Sequence, residues 1–337
     1  MRINEDFIEL CKSIITGDDL LTDKNINWEK MCEMAFRESF LPIFLKKYYK
    51  KIPDEVLFNY GAKANNILIK NNLMMETIEY LCNKIDAKIL LGKGCSFSQY
   101  LYNDPLIRVS KDIDLFAKKQ DQLQICKAME TLGFREAHFI GKKGFNKTEL
   151  INFYINNWEK GFVKEGFPYI EIKSCAPFFD KNICDNGINN FVFLQNHPNI
   201  KTFDFFHFFI LLNANIFCNF FSTWGVYAEC KIRDILDLCM FYYKHGSKLN
   251  NIDFRRIEKI TNYSTNYSML DIIQINCNLV AFVFGKDFVY KYINHNLVNP
   301  NIWPEGFDNK ELLLSEQKNR WIKYCEKKNI NHNLFIN

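Results

Sequence analysis

Asp112 and Asp114, in the run Lys111-Asp112-Ile113-Asp114-Leu115-Phe116, are the residues whose type and spacing most directly suggest chemistry. Side chains alternate along an extended segment, so Ile113 and Leu115 share one face of a strand and the two carboxylates share the other. Side by side they repel and disfavour double ionisation unless a divalent cation neutralises both. Oxygen-only ligands of this kind suit Mg2+ or Mn2+, held partly by the phosphates of a substrate. Upstream, the apolar run Ile89-Leu90-Leu91 breaks at Gly92-Lys93-Gly94 and gives way to a helix-like segment beginning near Ser96. Glycines let the backbone come close to a ligand, while the N–H groups of a helix start and the Lys93 ammonium favour an anion such as a phosphate. Gly92, Lys93, Gly94 and Ser96 are therefore candidates for meeting a triphosphate. Each half has a plainer reading, a tight turn for the glycines and a solvated strand face for the acids; their order and separation sharpen the signal.

Elements on both sides must position these residues. Before them, amphipathic helices are expected over residues 6–15 and 28–40, the second interrupted by Pro42 and followed by another short helix. Pro53 then opens a long helix to about Ile85, with Val56, Leu57, Tyr60, Ile67, Leu68, Met74, Ile78 and Leu81 as a buried stripe. After the acids, a helix over residues 120–132 should end at Gly133. Strands are expected over 149–155 and 169–174, the latter placing Ile170 and Ile172 on one face and Tyr169, Glu171 and Lys173 on the other. The Asn-rich stretch 180–199 reads as a loop with one short strand near 191–194. Thr202 is expected to cap a helix over 203–221, and another helix should run from 224 to 245 and stop at Gly246. Along that helix Glu229, Arg233 and Asp237 follow at i, i+4 spacing, the pattern of a salt-laced face. Further helices are expected over 253–288 and 310–328.

The order of glycine turn, short helix and acidic strand resembles the polymerase-beta-like nucleotidyltransferases. More closely, Leu91 to Gly94, Asp104-Pro105, Arg108 and Asp112-Ile113-Asp114-Leu115 resemble an uncharacterised nucleotidyltransferase family with a motif running roughly L-K-G, D-P, L-R, D-I-D-L-L, over about residues 28–288. The resemblance implies an α+β fold: a small mixed sheet of the polymerase-beta-like kind with N-terminal helices and a C-terminal helical part. Residues 1–87 would be a helical region packed on the core, 88–200 the catalytic core and 201–337 a helical domain. It also implies a third carboxylate on a later strand, for which Glu171 is the candidate, its plainer reading being an exposed pair with Lys173. Asp112, Asp114 and Glu171 would then hold two magnesium ions, one bridging the triphosphate and one activating the attacking hydroxyl. Lys93, Arg108 and Lys111 are available to balance phosphate charge. In the family a comparable later helix carries an arginine and an aspartate, so that Arg233, Asp234 and Asp237 could line the cleft beside Lys173 and His207, although a lone histidine on so apolar a helix is more often a core residue.

Composition bounds the remainder. Over 337 residues, 48% hydrophobic and 24% charged content are ordinary for a soluble globular chain, and a net charge of +4 is too small to argue for nucleic acid. Twelve cysteines without a C-x-x-C pair point to reduced thiols in the cytoplasm and away from zinc. Neither a signal peptide nor a membrane span is expected: the apolar stretch 205–221 contains His207, Asn213, Asn215 and Asn219. The expected activity is transfer of a nucleoside monophosphate, by default from ATP, to a hydroxyl on a small molecule, peptide or protein. The alternatives are a nucleotide-binding regulatory protein without turnover and an enzyme extending RNA such as a tRNA end.

Overall fold

The computed structural model describes residues 5–18, 25–137, 159–174, 181–221, 231–249 and 268–292. The expected strand over 149–155 and helix over 310–328 lie outside these residues, as does Glu229. Two compact units are present, one formed by residues 32–211 and one by residues 1–31 together with 212–337. This grouping differs from a division at residues 87 and 200, because the long helix before the acidic strand supplies a wall of the sheet's own core.

The helices are α1 (Glu5–Thr16), α2 (Trp28–Arg37), α3 (Leu41–Tyr48), α4 (Asp54–Lys84), α5 (Cys95–Tyr102), α6 (Gln122–Thr131), α7 (Lys181–Asn189), α8 (Phe205–Phe221), α9 (Ile232–Leu249), α10 (Met269–Phe284) and α11 (Lys286–Tyr292). The strands are β1 (Ile89–Leu91), β2 (Ile113–Ala117), β3 (Arg135–Ala137), β4 (Glu159–Val163), β5 (Ile170–Lys173), β6 (Val192–Leu194) and β7 (His197–Thr202). They form one mixed sheet in the order β3-β4-β5-β2-β1-β7-β6. Within it β2 runs antiparallel to β1 and parallel to β5, and β1 runs parallel to β7. The chain is thus α+β, as expected.

Strand alternation decides the two faces. Ile113, Leu115 and Ala117 of β2, with Ile89 and Leu91 of β1 and Ile170 and Ile172 of β5, join Met74, Met75, Ile78 and Leu81 of α4 and Ile125 and Met129 of α6 in one buried cluster. Each such side chain contributes about 1.5–3 kcal/mol by leaving water. The intervening β2 residues, Asp114 and Phe116, take the opposite face, where the Phe116 ring meets Phe203 edge-on at 5.1 Å.

Several local expectations are corrected. Pro42 is not among them: the helix before it ends at Arg37, and the short helix expected to follow is α3, which Pro42 opens because its missing N–H costs nothing in the first turn. The stretch 180–199 holds α7 and a hairpin of β6 with β7, where Asn196 at φ 65° makes the turn and Ile188, Leu194 and Ile200 are buried. Asparagines read as loop because they suit left-handed turns, and here they supply one. Thr202 ends β7, and Asp204 caps α8 by accepting the His207 N–H at 2.9 Å. Gly246 does not stop α9: a Cβ there would stand 2.7 Å from the Tyr292 carbonyl oxygen, so the glycine admits that backbone and the helix runs on to Leu249.

In the other unit α1, α9 and α10 bury Phe7, Leu10, Leu238, Tyr242, Ile272 and Val280 among other apolar residues. A reciprocal capping box between Ser268 and Asp271 starts α10. Among the described residues no helix is long and apolar enough to cross a membrane, and Cys11, Cys32, Cys82, Cys95, Cys126, Cys239 and Cys277 are free thiols.

Candidate active site

The parallel pairing of β2 with β5 sets Asp114 directly beside Glu171 and Phe116 beside Lys173. Because Glu171 and Lys173 are two residues apart on a strand, both emerge on the face that carries Asp114. Lys173 Nζ donates across this face, 2.6 Å from Asp114 Oδ1 and 2.7 Å from Glu171 Oε2. All three residues are buried, at 6%, 9% and 6% exposure for Asp114, Glu171 and Lys173. Burial alone would push the Asp114 carboxyl up, but the Lys173 ammonium, Lys93 and hydrogen bonds shared with Lys173 and Glu171 outweigh it and hold the group at about 2. An ionised carboxylate in so dry a place is possible only with its cation in contact. Asp112 lies in the bend just before β2, next to the strand that carries Asp114, and is half-buried.

The glycine turn lies against these acids. Gly92 N–H donates to the Asp114 carbonyl at 2.9 Å, extending the pairing of β1 with β2 past Leu91. A Cβ on Gly92 would fall 2.1 Å from the Phe116 ring. Gly94 holds φ at 59° as it starts α5, and a Cβ there would stand 2.8 Å from Ser110 Oγ and 3.7 Å from the Asp112 carbonyl oxygen. Both glycines bring the turn onto the segment that delivers Asp112 and Asp114. That segment is pinned from behind: Ser98 Oγ accepts the Arg108 N–H at 2.9 Å, and Asn71 of α4, fully buried, donates to the Arg108 carbonyl at 2.7 Å.

The remaining candidates separate. Lys93, on the turn, is half-buried and close enough to lower the Asp114 carboxyl. Ser96 is fully buried, its hydroxyl 2.6 Å from that of Thr202, which in turn donates to the Leu91 carbonyl at 2.8 Å. Those bonds tie α5 to β1 and β7, so the structure gives Ser96 a core position and not a place on the turn's surface. Arg108 is 5% exposed, with its guanidinium over the Phe97 ring at 5.4 Å. Lys111 borders a cleft of about 530 Å3 together with Lys70, Met74, Ser110, Phe167 and Pro168. His207 is a core residue: 2% exposed, it pairs through Nδ1 with Asp204 Oδ1 at 2.7 Å and packs against Gly187 of α7. Burial pushes Asp204 up, but the bonds from His207 prevail and keep its carboxyl low. Arg233, Asp234 and Asp237 lie on α9 in the other unit, where Arg233 forks onto the buried Asp234 at 2.8 and 3.0 Å.

Sequence reasoning missed Thr202 and Asn71, and saw in Tyr169 only a residue on the face of Glu171. Thr202 reads as a helix cap, and Asn71 sits unremarked among neighbouring polar residues of α4. Tyr169 leans across β4, so that a Cβ on Gly161 would meet its hydroxyl at 1.9 Å; Gly161 pairs with Glu171, which puts the phenol beside the acids' strand. The glycine opposite an expected acidic position was the available signal.

As for a divalent cation, three carboxylates give the hard oxygen set that Mg2+ or Mn2+ prefers. Among the described residues, however, no group of three or more His, Cys, Asp and Glu side chains is gathered as a ready-made metal site. Lys173 stands between two of the three. The set thus leaves little place for a cation bridging Asp114 and Glu171.

A family model described as an uncharacterised nucleotidyltransferase matches residues 24–265, more than half of the 337-residue chain. No curated protein and no solved structure matches.

Proposed function

The chain belongs to an uncharacterised nucleotidyltransferase family, and from that premise we propose that it moves a nucleoside monophosphate, AMP by default, from an NTP to an acceptor hydroxyl. The observation that carries this reading is the pairing of Asp114 with Glu171 on adjacent strands, directly against the Gly92-Lys93-Gly94 turn. Asp112 and Asp114 would hold a magnesium or manganese ion, which when bound draws charge from the triphosphate oxygens. Lys93 on the turn would neutralise phosphate charge, while Gly92 and Gly94 let the turn close onto Phe116 and Ser110 beside the acids' segment. The acceptor oxygen forms its bond to the alpha phosphorus as the bond to pyrophosphate breaks. Its proton passes to the Glu171 carboxylate, and pyrophosphate leaves with the electron pair. The cleft bordered by Lys70 and Lys111, otherwise lined mainly by apolar side chains, suits an acceptor with an apolar body and an anionic group.

The test is pyrophosphate release from each of the four NTPs with Mg2+ or Mn2+, in an extract supplying acceptors, for the native chain and for Asp112→Asn/Asp114→Asn. Release that the double substitution abolishes, with an alpha-phosphate label passing to an acceptor, supports transfer. Nucleotide binding without release favours instead a regulatory protein, a reading that the lysine lodged between two of the acids makes specific.

A further inference from the structure

We propose that Lys173 is the resident cation of this site, standing where a second divalent ion would stand, so that the site takes a single divalent cation with its nucleotide. The inference rests on the nucleotidyl-transfer reading and says which cations that reaction would use.

The geometry leaves little room for the alternative. Lys173 Nζ contacts one oxygen of Asp114 and one of Glu171 at 2.6 and 2.7 Å. A magnesium ion bridging the same two side chains would need oxygen contacts of about 2.1 Å. It would then share the space between the carboxylates with an ammonium already in contact with both, and the two cations would repel at close range. The ammonium cannot easily withdraw, because Lys173 is 6% exposed and leaving would strand two buried carboxylates. Strand register makes the bridge a fixed feature: Asp114 faces Glu171, and Lys173 follows Glu171 by two residues on the same face.

Charge agrees. Asp112, Asp114 and Glu171 carry three formal negative charges, and Lys173 already offsets one of them at contact distance from two of the acids. The division of labour follows. A metal-bound hydroxyl loses its proton readily, whereas an ammonium fixed between two carboxylates cannot bind the acceptor oxygen as a metal does. Glu171, oriented by Lys173, then has to receive the acceptor's proton directly. Lys173 is thus a positioning residue that also supplies charge.

The experiment counts ions. Mn2+ is equilibrated by dialysis with the full chain and one equivalent of α,β-methylene ATP, and the retained ions are read by electron paramagnetic resonance. The expected result is one Mn2+ per chain with the spectrum of an isolated ion, and a second, spin-coupled Mn2+ in Lys173→Met. Two coupled ions in the native chain, or a folded Lys173→Met that still retains one, would overturn the proposal. If Lys173→Met does not fold, the native count decides alone. Retention of no Mn2+ by chain and nucleotide together would overturn the nucleotidyl-transfer reading and this proposal with it, an outcome distinct from a count of two.

Discussion

Replacing Lys173 by Met should change not only the stability of the chain but also its dependence on pH. In the native site the Asp114 carboxyl titrates at about 2, against an ordinary value near 4. A depression of that size corresponds to a stabilisation on the order of 2 kcal/mol from this one group. Because the folded value is depressed, that contribution is complete above about pH 4 and is lost only as pH falls through about 2. Removing the lysine leaves Asp114 and Glu171 buried, abreast and without their shared cation. The expected loss at pH 7.5 is about 3–5 kcal/mol, the range for breaking a buried pair by deleting one partner. Burial and mutual repulsion then raise both carboxyls in the folded variant. The folded variant consequently binds more protons than the unfolded chain, and its stability rises as pH falls from 7.5 towards 4.5. Over the same interval the native contribution of Asp114 stays flat. Urea unfolding in EDTA at several pH values in this range should show the gap between the two chains narrowing by up to about 1.4 kcal/mol per pH unit for each carboxyl that titrates. Parallel curves, or a loss below about 1 kcal/mol at pH 7.5, would refute the claim that Lys173 holds these acids ionised in the interior.

Three further outcomes are expected. Gly94→Ala must accept φ 59° with ψ −112°, a backbone conformation that suits glycine, and a Cβ 2.8 Å from Ser110 Oγ; a backbone cost of about 1–3 kcal/mol should appear in thermal unfolding, with weakened nucleotide binding by calorimetry. In the double variant with Ser110→Gly, only the steric share should return. Ser96→Ala should cost about 1 kcal/mol through the lost bond to Thr202 and leave nucleotide affinity within about two-fold, since Thr202 keeps its bond to Leu91; a large loss of affinity would return Ser96 to the phosphate site. Phe116→Ala, which empties the ring's place under Gly92 and against Phe203, should cost about 3–5 kcal/mol in urea unfolding with no change in the ionisation of Asp114.

What could be read in advance follows from the range of each signal. Short-range periodicity was enough for α4, expected from Pro53 to about Ile85 and found over Asp54–Lys84, and for the alternation that puts Ile113 and Leu115 in the apolar cluster and Asp114 on the other face of β2. It also showed that Glu171 and Lys173 share a face, because the period of a strand is a property of the strand alone. Pairing between strands is not: nothing in the residues around 171 reveals that β5 lies parallel to β2 with Glu171 at Asp114, and so the exposed Glu171–Lys173 pair of the plain reading becomes a buried triad. Ser96 failed in the opposite direction. Its place beside a glycine turn suggests a ligand contact, but whether a hydroxyl at a helix start faces the turn or the core depends on a partner in β7 over a hundred positions away in sequence. Asparagine misled most in 180–199, where left-handed propensity marks the turn at Asn196 correctly yet says nothing about the helix before it or the strands on either side.

The same reasoning explains why the site should be sensitive to register above all else. Three charged side chains meet because two strands lie parallel with Asp114 opposite Glu171; a slip of one residue would turn Glu171 and Lys173 into the apolar cluster of α4 and α6 and bring Ile170 or Ile172 to the acid face. Ile170 and Ile172, both almost fully buried, oppose such a slip from the other side of the sheet. The apolar face of β5 therefore sets the position of the catalytic candidates as firmly as any contact they make among themselves. Charge and packing also fail differently. A substitution such as Ile172→Ala should lower stability by about 2–5 kcal/mol without altering how many ions the folded chain binds, whereas Lys173→Met should alter the ion count even where EDTA-free buffer restores part of the lost stability. The two effects share one strand and alternate along it, which makes β5 the place where the folding role and the chemical role of this sheet can be separated residue by residue.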